Sequence, residues 1–291
     1  MKKIIFGNIL ILVIFLLAGR GNIDSHLPTV SAVKENQEQI PFGEMKVTFL
    51  DVGRGEATLV QMDDGFTMLI DTGTKGYENQ LIEELIRNRV SEIDILIATN
   101  DSEEYTGNIV VLLKKWPIKK IMYAELFKKD IMGKIGFTPE IEKKALFAED
   151  IINIANNVKI KILSPDEPYS NNPQGNSLVF QLIHGEVSIL FTSGIDEDTE
   201  KKLVEKYDLK SSILKVSDMG SIQSSTPEFL QEVDAFMAVV FPAVETFERN
   251  EEVLERLNES WMDVYQISRD GSVSIISDGK DYIVEKKENS N

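Results

Sequence analysis

Two short segments determine how this chain folds: Phe49-Leu50-Asp51-Val52-Gly53-Arg54-Gly55-Glu56-Ala57 and Leu69-Ile70-Asp71-Thr72-Gly73. In each segment an apolar run ends in an aspartate, and glycines follow at once. An apolar run bounded by aspartate and glycine is typical of a buried strand that ends in a tight turn. We therefore predict that both strands end at the same edge of the fold, with Asp51, Gly53 and Gly55 shaping the first turn.

Short β-like runs alternate with amphipathic segments on the C-terminal side of these motifs. Strands are predicted at residues 46–50, 57–61, 67–70, 94–98, 159–163, 177–183, 187–192, 213–216, 235–240, 264–266 and 272–277, and helices at 77–88, 109–115, 140–145, 197–206, 227–232 and 251–258. Hairpins come first and strand–helix units follow. This order favours an α/β (α+β) fold of two sheets with helices outside them over a single parallel sheet.

The composition limits the functions that the chain can serve. Its 291 residues include 31 basic and 48 acidic side chains, which gives a net charge of −17. An acidic body repels nucleic acid, so a nucleic-acid partner is not expected. The best basic strip, Lys114, Lys115, Lys119 and Lys120, is predicted to be solvated surface. The absence of cysteine excludes disulfides, thiolate zinc ligands and a cysteine nucleophile.

The N-terminus has the pattern of an export signal. Lys2 and Lys3 precede an apolar run at residues 4–18, as in the charged and apolar regions of a signal peptide. As a helix this run is about 22 Å long, shorter than the bilayer core of about 30 Å, which favours a cleaved signal over an anchor. We predict an extracytoplasmic protein, secreted or anchored to the outer face of the cell membrane through residues 4–18. The predicted parts are a signal or anchor at 1–20, a linker at 21–43, one domain at 44–284 and a polar tail at 285–291.

The two opening segments resemble the competence-protein branch of the metallo-β-lactamase superfamily, whose members read close to FLDVGQGDA and LIDTG. Further matching motifs follow in the same order: Asn176-Ser177-Leu178-Val179, Leu190-Phe191-Thr192, Leu214-Lys215-Val216, Gly220-Ser221 and Ser277-Asp278-Gly279-Lys280. The resemblance covers about residues 44–284. It implies an αββα sandwich of two mixed sheets with helices on both outer faces. It also implies a zinc hydrolase site that is built from loops at one edge.

The positions that hold metal in active relatives are changed in this chain. The loop that reads roughly THxHxDHxG in those relatives is here Thr99-Asn100-Asp101-Ser102-Glu103-Glu104-Tyr105-Thr106-Gly107. The former metal positions are Asn100, Ser102, Glu104, Tyr105, Gly194 (a bridging aspartate in relatives), Asp218 and Met219 (histidines in relatives), with a late histidine position near Glu248 or Arg249. The only two histidines, His26 and His184, cannot supply a three-histidine zinc centre. No metal or other cofactor is expected.

Carboxylates remain at the same edge. Asp71, Asp101, Glu104 and Asp218 form a candidate oxygen-ligand cluster, and oxygen ligands suit Mg²⁺, Mn²⁺ or Ca²⁺. The alternative that we favour is that these acids are solvated loop residues. For Asp71 we favour a structural role, in which it bonds backbone amides of the 100–107 loop.

Three functions follow from these observations. The first is a noncatalytic extracytoplasmic protein that binds a protein, a peptide or a small molecule. The second is a metal-dependent hydrolase with a carboxylate-held metal, acting on a phosphodiester, an ester or a lactam. The third, DNA handling in competence, rests on the resemblance alone, and the acidic charge argues against it. No catalytic residue is assigned.

Overall fold

The computed structural model describes residues 40–41, 43–155, 157–243 and 251–286. The predicted segment 1–20, most of the linker with His26, positions 248 and 249 and the end of the tail therefore lie outside the described residues. The strands are β1 (Met45–Phe49), β2 (Thr58–Met62), β3 (Thr67–Ile70), β4 (Ile93–Ala98), β5 (Ile118–Ala124), β6 (Glu142–Leu146), β7 (Ile151–Ala155), β8 (Val158–Ser164), β9 (Val179–His184), β10 (Val187–Phe191), β11 (Ile213–Lys215), β12 (Met237–Val240), β13 (Asp263–Gln266), β14 (Val273–Ser277) and β15 (Tyr282–Lys286).

Eight helices lie between these strands in the described ranges. They are α1 (Glu78–Arg87), α2 (Glu103–Thr106), α3 (Ile109–Lys115), α4 (Lys128–Ile135), α5 (Glu197–Lys206), α6 (Pro227–Val233), α7 (Glu251–Glu259) and α8 (Ile267–Asp270). None of them combines the length and the apolar character that crossing a membrane needs.

The strands form two mixed sheets, as predicted. One sheet has the order β15-β14-β1-β2-β3-β4-β5-β6, and the other has the order β13-β12-β11-β10-β9-β8-β7. Strands β3 to β6 run parallel, as do β10 to β13, so the C-terminal ends of each set share one edge. This parallel arrangement brings the loops after β3, β4, β10 and β11 together.

The main core lies between the two sheets. The rings of Phe49 and Phe191 face each other across it, with centroids 6.2 Å apart, and Phe180 stacks on Phe191 at 4.8 Å. Buried residues of α1, α3 and α4 belong to the same apolar cluster as the eight-stranded sheet. Residues of α5, α6 and α7 form a second cluster with the outer side of the other sheet. The predicted αββα sandwich is therefore confirmed.

Several predicted elements differ from the structure. Residues 140–145, predicted to be helical, lie mostly in strand β6, which pairs in parallel with β5. The run of Glu, Lys and Ala there has helical propensity, but pairing with β5 outweighs that propensity at a sheet edge. The patterns also missed β5, β7, β15 and α4. Strand β15 extends past residue 284, where we predicted the tail to begin.

Candidate functional site

The loops after β3, β4, β10 and β11 meet at one edge of the sandwich, and Asp71 lies at their centre. Its Oδ1 accepts a hydrogen bond from the Thr99 amide at 2.8 Å, and its Oδ2 accepts one from Thr99 Oγ1 at 2.6 Å. Thr99 Oγ1 is also 2.6 Å from Ser193 Oγ on the other sheet. Burial, and next the charge of Glu56, raise the pKa of Asp71. The prediction that Asp71 bonds backbone amides of the 100–107 loop is therefore wrong. Asp71 bonds Thr99, the residue just before that loop, because β3 and β4 are adjacent parallel strands.

Asn100, at a former histidine position, is buried, and both ends of its amide are used. Its Nδ2 donates to Ser177 Oγ at 2.7 Å, and its Oδ1 accepts from the Ser102 amide at 2.8 Å. Ser177 Oγ in turn donates to the Gln174 carbonyl at 2.7 Å. Asn100 therefore joins the loops of the two sheets through hydrogen bonds.

Tyr105, at another former histidine position, fills the space beside Gly194. Its side chain is fully buried, and a Cβ atom at position 194 would lie 2.8 Å from its Oη. Among the described residues this hydroxyl has no hydrogen-bond partner. Burial raises the pKa of Tyr105 most, and the negative charges of Glu56, Asp218, Asp71 and Glu104 raise it further. The tyrosine thus packs directly against Gly194, the position for which the sequence predicts a lost bridging carboxylate.

A buried ion pair lies next to this ring. Lys215 Nζ donates to Glu56 Oε2 at 2.5 Å and to the Ser193 carbonyl at 3.2 Å, and the two side chains are 2% and 4% exposed. Burial raises the pKa of Glu56 to about 7, although Lys215 opposes the shift. Both residues belong to motifs quoted from the sequence, but their pairing was not predicted. A lysine in a strand as apolar as β11 was the signal available.

Two further positions that are predicted to have lost metal ligands, Asp218 and Met219, lie in a turn at residues 217–220 with left-handed backbone, φ 44° and 52°. The Asp218 amide donates to the Ser193 carbonyl at 2.7 Å. Glu200 on α5, also missed, holds this region by accepting from Ser217 Oγ at 3.1 Å and from the Ser225 amide at 2.6 Å. Hydrogen bonds to the buried Glu200 carboxylate therefore stabilise the turn.

Comparisons with known proteins agree with this architecture. The chain is 24% identical over 219 residues to ComE operon protein 3 of Bacillus subtilis, which covers 68% of this chain and 28% of that protein. It superimposes on the metallo-β-lactamase fold protein YhfI from Bacillus subtilis with a TM-score of 0.55 and 13% identity, covering 77% of this chain and 96% of YhfI. The chain has the metallo-β-lactamase fold. The resemblance to the competence-protein branch of that superfamily is supported as well.

A second structural neighbour is CmlA, a diiron β-hydroxylase from Streptomyces venezuelae. Its TM-score is 0.53 at 13% identity, and the match covers 78% of this chain and 53% of CmlA. No known protein-family profile matches the chain. The chain spans a little over a quarter of the length of ComE operon protein 3.

The edge residues do not suit the zinc ions that the family resemblance implies. Imidazole donors are replaced by the engaged amide of Asn100 and the phenol of Tyr105, and Gly194 has no donor atom. The Lys215 ammonium adds a positive charge near the same acids. The donor set at this edge therefore does not fit zinc.

The four candidate oxygen ligands are only partly brought together. The negative charges of Asp71, Glu104 and Asp218 all raise the pKa of the Tyr105 hydroxyl. At Asp101, the backbone carbonyl oxygen accepts a hydrogen bond from the Lys134 ammonium. In the described ranges no group of three or more His, Asp or Glu side chains is close enough to hold a metal.

The other residues considered from sequence lie away from the edge. His184 ends β9 at the opposite end of the strands, where it is buried and its Nδ1 lies 3.0 Å from Ser277 Oγ. Gly185, with φ 58°, forms the hairpin turn after it, between β9 and β10. In the basic strip, Lys119 pairs with Glu92 and Asp94, and Lys120 pairs with Glu142.

Proposed function

We propose that this chain is a noncatalytic metallo-β-lactamase-fold protein that acts by binding a protein, a peptide or a small molecule. The observation that supports the proposal is the packing of Tyr105 against Gly194, because it places a buried ring where relatives place a bridging ligand. The Lys215–Glu56 pair supports it further, since a buried ammonium repels a metal cation. We infer that the fold has kept its scaffold while the edge has become packed core.

The proposal includes a place outside the cytoplasm. Lys2, Lys3 and the apolar run at 4–18 support export, and the similarity to ComE operon protein 3 supports a role related to competence at the cell envelope. A role in holding DNA is not proposed, because the net charge is −17 and two lysines of the best basic strip, Lys119 and Lys120, are paired with acids. Protease treatment of intact cells, against lysed cells as control, tests the location. Protection of the chain in intact cells would contradict it.

A second candidate is a hydrolase with a carboxylate-held metal. The observation in its favour is the buried Tyr105 hydroxyl, which has no hydrogen-bond partner among the described residues. The negative charges of Glu56, Asp218, Asp71 and Glu104 all raise the pKa of this tyrosine. Oxygen-rich surroundings suit Mg²⁺ or Mn²⁺. The engaged carboxylate of Asp71 and the ion-paired Glu56 weigh against this candidate.

Metal analysis separates the two candidates. The purified protein is incubated with Mn²⁺, Mg²⁺ or Zn²⁺, dialysed and measured by mass spectrometry, with Glu104→Gln as the matched variant. Substoichiometric metal that is equal in both proteins supports the noncatalytic proposal. Stoichiometric metal that Glu104→Gln removes would replace it by the second candidate.

Restoring one ligand gives an independent test. Asn100→His adds an imidazole, but Ser102 and Tyr105 still fill the other two histidine positions of the loop, and Gly194 still fills the position of the bridge. We therefore expect no retained zinc and no zinc-dependent hydrolysis of ester or phosphodiester substrates. Measurable zinc-dependent hydrolysis by this variant would show that the other ligands are already present.

A further inference from the structure

A cleft of about 520 Å³ opens at the other end of the strands from the edge just described. It lies between β13 and β15, which end the two sheets on the same side. Its walls include three aromatic side chains, Phe236, Tyr265 and Tyr282. The residues at the starts of β10 and β12, Val187 and Met237, add apolar surface. The size suits a small ligand, since such sites are typically about 300–1,000 Å³.

The charged groups at this cleft are mostly acidic. Among the described residues, Glu186, Asp263 and Asp281 line it together with one basic residue, Lys280. Asp263, Tyr265, Asp281 and Tyr282 all line the same cleft. Burial raises the pKa of Tyr282, and the charges of Asp263 and Asp281 raise it further. An anionic ligand would meet net repulsion here, and an acidic protein as a whole attracts cations.

The Tyr265 ring makes a cation–π contact with a lysine of the same chain. The ammonium of Lys286 lies 4.7 Å from the centroid of the Tyr265 ring. Aromatic faces attract ammonium groups through the ring quadrupole, and several rings around one space form the kind of cage that selects alkylated ammonium ions. Phe236 is 71% exposed, so apolar surface at the mouth is open to a ligand.

We propose that the cleft between β13 and β15 binds a small organic cation with an alkylated ammonium head. The rings contact the alkyl groups, and the carboxylates of Glu186, Asp263 and Asp281 balance the charge. This site gives the proposed binding function a location in the fold and a class of ligand. Because it shares no residue with the Tyr105 edge, its test does not depend on whether that edge holds metal.

Calorimetric titration with choline tests the proposal, with 3,3-dimethyl-1-butanol as the uncharged analogue of the same shape. We expect saturable binding of choline that is at least about fivefold tighter than binding of the alcohol. Tyr282→Leu and Asp263→Asn should each weaken choline binding at least about threefold. Tyr169→Leu, an exposed aromatic residue outside the cleft, should leave it unchanged.

Asp263 is exposed, so Asp263→Asn keeps the test valid if Tyr282→Leu fails to fold. A thermal melt of each variant verifies folding before titration. Absence of saturable choline binding, equal binding of the alcohol, or choline binding that Asp263→Asn leaves unchanged would each overturn the proposal.

Discussion

Asp71 takes the left-handed backbone conformation, φ 60°, at the end of β3, and both of its carboxylate oxygens are bonded to Thr99. Asn tolerates this conformation well, whereas Ala does not. We expect Asp71→Ala to lower the free energy of unfolding by about 2–4 kcal/mol, because it leaves the Thr99 amide and hydroxyl with fewer partners. Asp71→Asn keeps the shape and one acceptor, so its loss should be smaller. Urea denaturation measures both.

Ser102→Ala and Glu104→Gln serve as controls for the Asp71 variants. Ser102 Oγ is buried without a hydrogen-bond partner in the described ranges, so its removal should be nearly neutral. Glu104 is half-buried, and Gln keeps its size. A neutral Asp71→Ala together with a strongly destabilising Glu104→Gln would mean that the acidic loop closes around a cation.

Tyr105 and Gly194 are expected to be energetically coupled. Gly194→Ala should cost about 1–3 kcal/mol, because its Cβ would lie 2.8 Å from Tyr105 Oη. Tyr105→Phe removes that oxygen, which has no partner in the described part of the chain, and should itself cost little. In the Tyr105→Phe background the cost of Gly194→Ala should fall, and a double-mutant cycle measures the difference. Additive effects would show that the two side chains do not share this space.

At the scale of elements, Glu200 joins α5 to the segment that leads into α6. Burial raises its pKa from 4.5 to about 7, although backbone and side-chain hydrogen bonds oppose the shift. The folded state therefore binds this proton more tightly than the unfolded state. Its contribution to stability is present below about pH 4.5 and is lost as the pH rises through about 7.

We expect the free energy of unfolding to fall between about pH 4.5 and pH 7, and to fall less steeply in Glu200→Gln, which cannot titrate. Urea denaturation at several pH values measures the slope. Glu205→Gln changes an exposed carboxylate on the same helix and should keep the wild-type slope. An identical slope in Glu200→Gln would indicate that Glu200 is charged throughout.

At the scale of the whole molecule, the apolar core between the sheets holds the fold together. Circular dichroism should therefore show mixed helix and sheet content and one cooperative thermal transition. EDTA should leave the melting temperature unchanged, because no bound metal stabilises the folded state in this proposal. A drop of several degrees with EDTA would show that a metal supports the fold.

Local sequence signals were enough to predict two sheets with helices outside them, because apolar periodicity and the aspartate–glycine turns after β1 and β3 involve only neighbouring residues. The αββα sandwich itself was implied by the resemblance of the quoted motifs to the metallo-β-lactamase superfamily. The loss of imidazole ligands also follows from the sequence, since two histidines are too few. Local signals failed at β6, where pairing with β5 overrides helical propensity, and at β15, a mostly exposed edge strand.

Only the tertiary structure showed which side chains contact one another at the edge. Tyr105 and Gly194 lie far apart in the sequence, as do Glu56 and Lys215, yet the parallel strands of two facing sheets bring each pair into contact. No local pattern encodes such contacts, because they depend on strand order and register across both sheets. For the same physical reason, the aromatic and acidic residues of the β13–β15 cleft are recognisable as one site only after the chain has folded.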